Sequence, residues 1–135
     1  MARYGIYDNI TESKITSATS SIREKINKIK TNISETQSAL SDSVWKAGAK
    51  ATLFTAFTTI DGEVCADILS YLDNLDTIAG HISNHKTAEQ TAKGYSNRIS
   101  TNNSQETNNN LRSLISEQER IMTNIENEIN SLKNG

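Results

Sequence analysis

Three apolar stripes at helical spacing run along the chain, separated by two stretches of polar and small residues. In the first stripe Ile15, Ile22, Ile26, Ile29, Ile33 and Leu40 stand 7, 4, 3, 4 and 7 residues apart, and Thr19 and Thr36 fill the skipped steps. A 3–4 alternation sets these residues along one side of a helix, the seam by which it packs on a neighbour. Arg23, Glu24, Lys25, Asn27, Lys28 and Lys30 fall between them and read as the solvated side. In DNITES, Asn9 or Thr11 can accept from the first free backbone N–H groups, so the first helix is predicted over about 10–41.

The pattern breaks at SDSVWKAG. Ser41, Asp42 and Ser43 are good N-cap residues for a following helix, Gly48 weakens its first turn, and a turn is expected over 42–48. Beyond it Leu53, Phe57, Ile60, Val64, Ile68, Leu72, Leu75, Ile78 or Ala79, and Ile82 recur at spacings of 3 and 4. This predicts a second helix over about 49–85, or on to 100. Gly62 is a point of kinking or division, since glycine in a helix interior costs about 1 kcal/mol relative to alanine; Gly80 and Gly94 are further weak points. Residues 100–110, STNNSQETNNN, contain no apolar residue and read as a polar linker. Leu111, Leu114, Ile115, Ile121, Met122, Ile125, Ile129 and Leu132 then mark a third helix over about 111–133, its stripe interrupted by Gln118 and Glu128.

Two long amphipathic helices joined by a short break are expected to form an antiparallel hairpin, because each stripe then covers the other. The fold class is therefore all-α: a long antiparallel helical hairpin plus a third, C-terminal helix, in one domain of 135 residues. A lone hairpin leaves apolar surface bare. Its cover is the third helix, a second copy or a partner chain.

Composition agrees with helices. Proline is absent and valine occurs only at Val44 and Val64, which is poor material for strands. A formal charge of −2 without a basic patch gives no reason to expect nucleic acid. No apolar run approaches the roughly 18 residues of a membrane span, so no membrane insertion is expected. The N-terminus lacks the apolar core of a secretory signal, so a cytoplasmic protein, or export without a signal peptide, is expected. Cys65, the single cysteine, reads as a small buried hydrophobe.

Candidate chemistry is sparse. His81 and His85 lie at metal-ligand spacing on one helix face, but HISNH has neither the glutamate of H-E-x-x-H nor a third ligand in view. Asp73 and Asp76 form no calcium loop, and no phosphate-binding or nucleophile motif occurs. No catalytic residue, cofactor or metal is expected.

The break carries a resemblance. Trp45-Lys46-Ala47-Gly48, between two helices, resembles the W-x-G turn of the WXG family of type VII secretion substrates, with its glycine one residue late. Ala49 or Ala51 with Phe54 and Phe57 is similar to the family's A-x-x-x-F continuation. Phe57, Asp61, Val64 and Ile68 fit the family's export signature, hydrophobic-x-x-x-acid-x-x-hydrophobic-x-x-x-hydrophobic, and an α-helix would set all four on one side. Family members usually carry that signature later in the chain. At this length the protein looks more like the longer helical partners that accompany LXG-type toxins of Gram-positive bacteria.

The resemblance covers roughly residues 10–85. It implies a non-catalytic targeting chaperone that binds the helical N-terminal domain of an LXG-type toxin, or another small helical protein, and promotes export through a type VII system. It also implies partner binding at the turn through Trp45, Gly48, Phe54 and Phe57, with Trp45 plugging the end of the hairpin core. The seam residues Ile22, Ile26, Ile29, Ile33, Leu40 and Ile60 would be divided between internal core and interface. The alternatives are a secreted, homodimeric WXG-like substrate and a coiled-coil component of a phage or surface assembly.

Overall fold

A computed structural model describes residues 3–41, 47–101 and 104–134, and all regular structure among them is helical. Helix α1 spans Glu12–Ser41, α2 Ala47–Thr59, a π-helical turn Ile60–Val64, α3 Cys65–Thr101 and α4 Gln105–Asn134. The second, third and fourth of these follow one another without a gap, so residues 47–101 form one joined helix.

Local chemistry places the ends. Thr11 caps α1, its Oγ1 accepting from the Lys14 N–H at 3.3 Å. The joined helix already includes Ala47 and Gly48, which the sequence pattern assigns to the turn. The larger difference is at 105–110, read as linker but helical. Ser104 is the reason: its Oγ accepts from the Thr107 N–H at 3.3 Å and its carbonyl from the Asn108 N–H at 3.0 Å. A capped start anchored by buried Leu111 about two turns on carries the helix through six polar residues that face water for the most part.

Gly62 marks the predicted division, and its form is a π turn. The Cys65 N–H bonds the Ile60 carbonyl, five residues back. One extra residue in the turn delays the inward face by one position. The pattern places Ile60, Val64 and Ile68 on the seam, yet all three are exposed. Asp61 and Leu69 are half-buried in their stead, with Cys65 and Leu72 fully buried.

Helix α1 shows the same selection among stripe residues. Its buried line is Thr19, Ile26, Ile33 and Leu40, with Arg23, Lys30 and Gln37 half-buried beside it. Ile22 and Ile29, which the pattern counts with the seam, face solvent. Arg23 Nη2 lies 2.7 Å from Asp73 Oδ1 and Lys30 Nζ lies 3.1 Å from Asp61 Oδ1. Long cationic side chains lay their methylenes along an apolar seam and deliver their charge to a partner at its edge, so this flank takes the inner place.

The chain divides into two compact units. One comprises Met1–Thr16 and Leu75–Gly135, the other Ser17–Asn74. The core of the first is Ile78, Ile82, Ile125 and Ile129, with Tyr7, Ile15, Leu75, Ile121 and Leu132 packed against it and Met122 fully enclosed. Complete burial of such a side chain stabilises by about 1.5–3 kcal/mol. In the second, the pairs Arg23–Asp73 and Lys30–Asp61 show the chain running in opposite directions along the two facing helical stretches.

Candidate interaction face

The Ser17–Asn74 unit exposes Ile22 (42 %), Ile29 (43 %), Ile60 (39 %), Val64 (48 %), Ile68 (37 %) and Tyr71 (51 %). Helix geometry shows that they share a side. At about 100° per residue, Arg23 and Lys30 lie about 60° to one side of the buried Ile26–Ile33 line, and Ile22 and Ile29 about 40° to the other. On the facing helix, Asp73 lies about 90° to one side of the Cys65–Leu72 line, and Val64, Ile68 and Tyr71 about 50–110° to the other. Arg23 and Asp73 are in contact, so the charged flanks of both helices occupy one edge. The apolar flanks therefore occupy the opposite edge together.

The resulting face offers on the order of 500 Å² of mainly apolar side chain, within the roughly 300–600 Å² of the largest patches on monomers, which are often functional. Ile22 and Ile29 stand seven apart on α1, as do Val64 and Tyr71 on the facing helix, which is the repeat of knobs-into-holes packing. Lys25 borders the face on α1 and Asp67 on α3, and both are exposed.

The sequence-predicted site residues fare differently. Trp45 lies outside the described residues. Gly48 is exposed in the first turn of α2, and Phe54 and Phe57 are half-buried. The four residues of the export signature do not share a side. Phe57 and Asp61 are half-buried while Val64 and Ile68 face solvent, because the π turn Ile60–Val64 shifts the register within the signature. Of the seam set, Ile26, Ile33 and Leu40 are core; Ile22, Ile29 and Ile60 are surface. Tyr71 is not on the predicted seam, since it becomes part of the face only once the register has slipped.

A polar cluster in the other unit also escapes the sequence pattern. His85 is 1 % exposed and its Nε2 lies 3.1 Å from Glu126 Oε2. A carboxylate only accepts, so Nε2 carries the hydrogen. Glu126 also accepts from the Arg3 backbone N–H at 3.2 Å and from Arg3 Nε at 3.3 Å. Burial pushes the Glu126 carboxyl up, but the hydrogen bonds from His85 and Arg3 outweigh it and hold the group below its ordinary range. Glu89 accepts from the Gly5 N–H and pairs with Lys93 at 3.7 Å. The edge of Tyr7 meets the His85 ring, with centroids 4.8 Å apart.

The signal for this cluster in the sequence is a charged residue on an apolar stripe. Glu89 falls seven after Ile82, and Glu126 four after Met122. The interruption expected at Glu128 is instead an exposed residue 3.3 Å from His81 Nε2. The two histidines thus face different glutamates, and among the described residues no three metal-ligating side chains converge.

Among the described residues no helix is long and apolar enough to cross a membrane. No protein-family model, curated protein or solved structure matches the chain.

Proposed function

We propose that this protein is a non-catalytic helical partner that binds the helical N-terminal domain of a type VII-secreted LXG-type toxin and promotes its export. The observation that carries the reading is the continuous apolar face of Ile22, Ile29, Ile60, Val64, Ile68 and Tyr71, which the chain's own helices leave uncovered. It is the surface that helix-against-helix recognition uses, an amphipathic helix laying its apolar side into a groove with anchors at heptad spacing. The resemblance of Trp45-Lys46-Ala47-Gly48 to the family turn supplies the partner class. In this reading the chain acts in the cytoplasm or travels with its cargo without a signal peptide.

One observation favours a second copy as the occupant. Lys25 on the α1 edge and Asp67 on the α3 edge make the face self-complementary when α1 of one copy lies on α3 of another. Co-expression with an LXG-type toxin domain encoded beside this gene, followed by co-purification and light scattering, separates the readings. The expected result is a heteromeric complex in which Ile22→Ser, Ile29→Ser and Ile68→Ser together weaken binding at least about a hundredfold while helix content is unchanged. A stable homodimer that ignores the toxin domain and is dissociated by the same three substitutions would replace the first reading by the second. Monomers without affinity for the toxin domain would overturn both.

A further inference from the structure

Residues 3–10 belong to no helix, yet their contacts reach far along the chain. Gly5 bonds Glu89 across 84 positions and Arg3 bonds Glu126 across 123. The segment folds on itself by two turn hydrogen bonds, Asp8 N–H to the Gly5 carbonyl at 3.3 Å and Ile10 N–H to the Tyr7 carbonyl at 3.1 Å. Gly5 has φ +77°, and a Cβ there would stand 3.2 Å from Asp8 Oδ2, so the turn requires glycine. Its docking contacts are Arg3 on Glu126, the Gly5 N–H on Glu89, Lys86 Nζ on the Ile10 carbonyl, and Tyr7 on His85 and on the isoleucine core.

Docking does not fill the space beneath the segment. A cleft of about 430 Å³ remains, with Ile6, Tyr7 and Ile10 of the segment on one side and Ile78, Ile82 and Ile129 of the core wall on the other. The Arg3 side chain is 67 % exposed. Each carboxylate that holds the segment also has a partner that stays behind when the segment leaves: His85 for Glu126, Lys93 for Glu89. Neither would be abandoned as a buried, unpaired charge, the usual penalty for breaking such a contact. The start of α1 is equally independent, because Thr11 rather than the segment caps it.

We propose that residues 3–10 are a releasable latch, pinned by Glu89 and Glu126, whose departure bares the Ile78–Ile82–Ile129 wall as an apolar surface while the helices stay folded. The groups that govern it come from every element in contact: Arg3 and Tyr7 in the segment, His85 and Lys93 on α3, and Glu126 on α4, with the charges of Glu119 and Glu89 near Tyr4. The depressed Glu126 carboxyl places acid release below the ordinary glutamate range. Near neutrality the latch is closed.

Amide hydrogen exchange on the full chain tests this. Arg3→Ala alters only a surface side chain of the segment, and Glu89→Gln with Glu126→Gln removes the charges that pin it. The expected result for either is a roughly tenfold or larger loss of protection at the Gly5 amide, with Ile125 and Ile129 amides unchanged and binding of an apolar-surface dye increased. Wild type should do the same in acid. Gly5 exchange that always tracks Ile125 and Ile129 would overturn the proposal, since the segment would then open only by global unfolding. If the glutamine pair does not fold, Arg3→Ala alone decides, an unaltered Gly5 amide in that variant counting against the latch.

Discussion

Isoleucine at helical spacing has opposite fates in the two units. In Met1–Thr16 with Leu75–Gly135, Ile78, Ile82, Ile125 and Ile129 are buried and even the polar cluster is enclosed. In Ser17–Asn74, Ile26 and Ile33 are buried but Ile22, Ile29, Ile60 and Ile68 are not. The difference is the number of covering elements. The first unit combines the start of α1, most of α3, all of α4 and the segment 3–10; among the described residues the second has two facing helical stretches. With one neighbour a helix buries a single line and must choose between its flanks. Arg23 and Lys30 settle the choice in α1 by reaching Asp73 and Asp61, and the isoleucine flank is left for something else.

The sharpest way to break this comparison is to truncate one isoleucine in each unit. Ile82→Ala, at a fully buried site, should cost about 3 kcal/mol in denaturant unfolding, and Ile29→Ala less than about 1. Equal costs would mean that the second unit's isoleucines are covered after all.

Next comes acid. The folded-state Glu126 carboxyl is depressed, so its contribution is complete above the ordinary carboxylate range and is lost as pH falls through the depressed value. Melting temperature should therefore fall on acidification more steeply in wild type than in Glu126→Gln. Identical slopes would remove Glu126 from the account.

Glycines provide a smaller contrast. Gly80 and Gly94 lie inside α3 with open space where a Cβ would be, so alanine at either should raise stability by about 0.5–1 kcal/mol. Gly5→Ala should lower it, because φ there is +77°. The smallest effect is expected from Asp73→Asn. This ion pair is largely exposed on the aspartate side and should contribute under about 1 kcal/mol, less still at high salt in a thermal melt.

Much of this was legible along the chain. The 3–4 spacing of Ile26, Ile29 and Ile33 and of Leu72, Leu75 and Ile78 declares helices, and Gly62 sits in the turn where the joined helix changes winding. The polar run 105–110 misled, because one capping serine with one buried leucine outweighs weak local preference. The candidate face was legible as a set of apolar residues, but not as a side. A spacing of 3 or 4 tolerates either of two neighbouring lines, and an inserted residue exchanges them.

The amino-acid order by itself determined that the chain is helical and that Gly62 marks a division of the second helix. It also supplied more apolar stripe than two helices can bury, because periodicity and caps are local properties. Only the tertiary structure decided which isoleucines are core and which are surface. Packing against a single neighbour, the ion pairs at its edge and the π turn select one line from several that the spacing allows. It alone brought Arg3 to Glu126 and Gly5 to Glu89, since no local rule spans such separations.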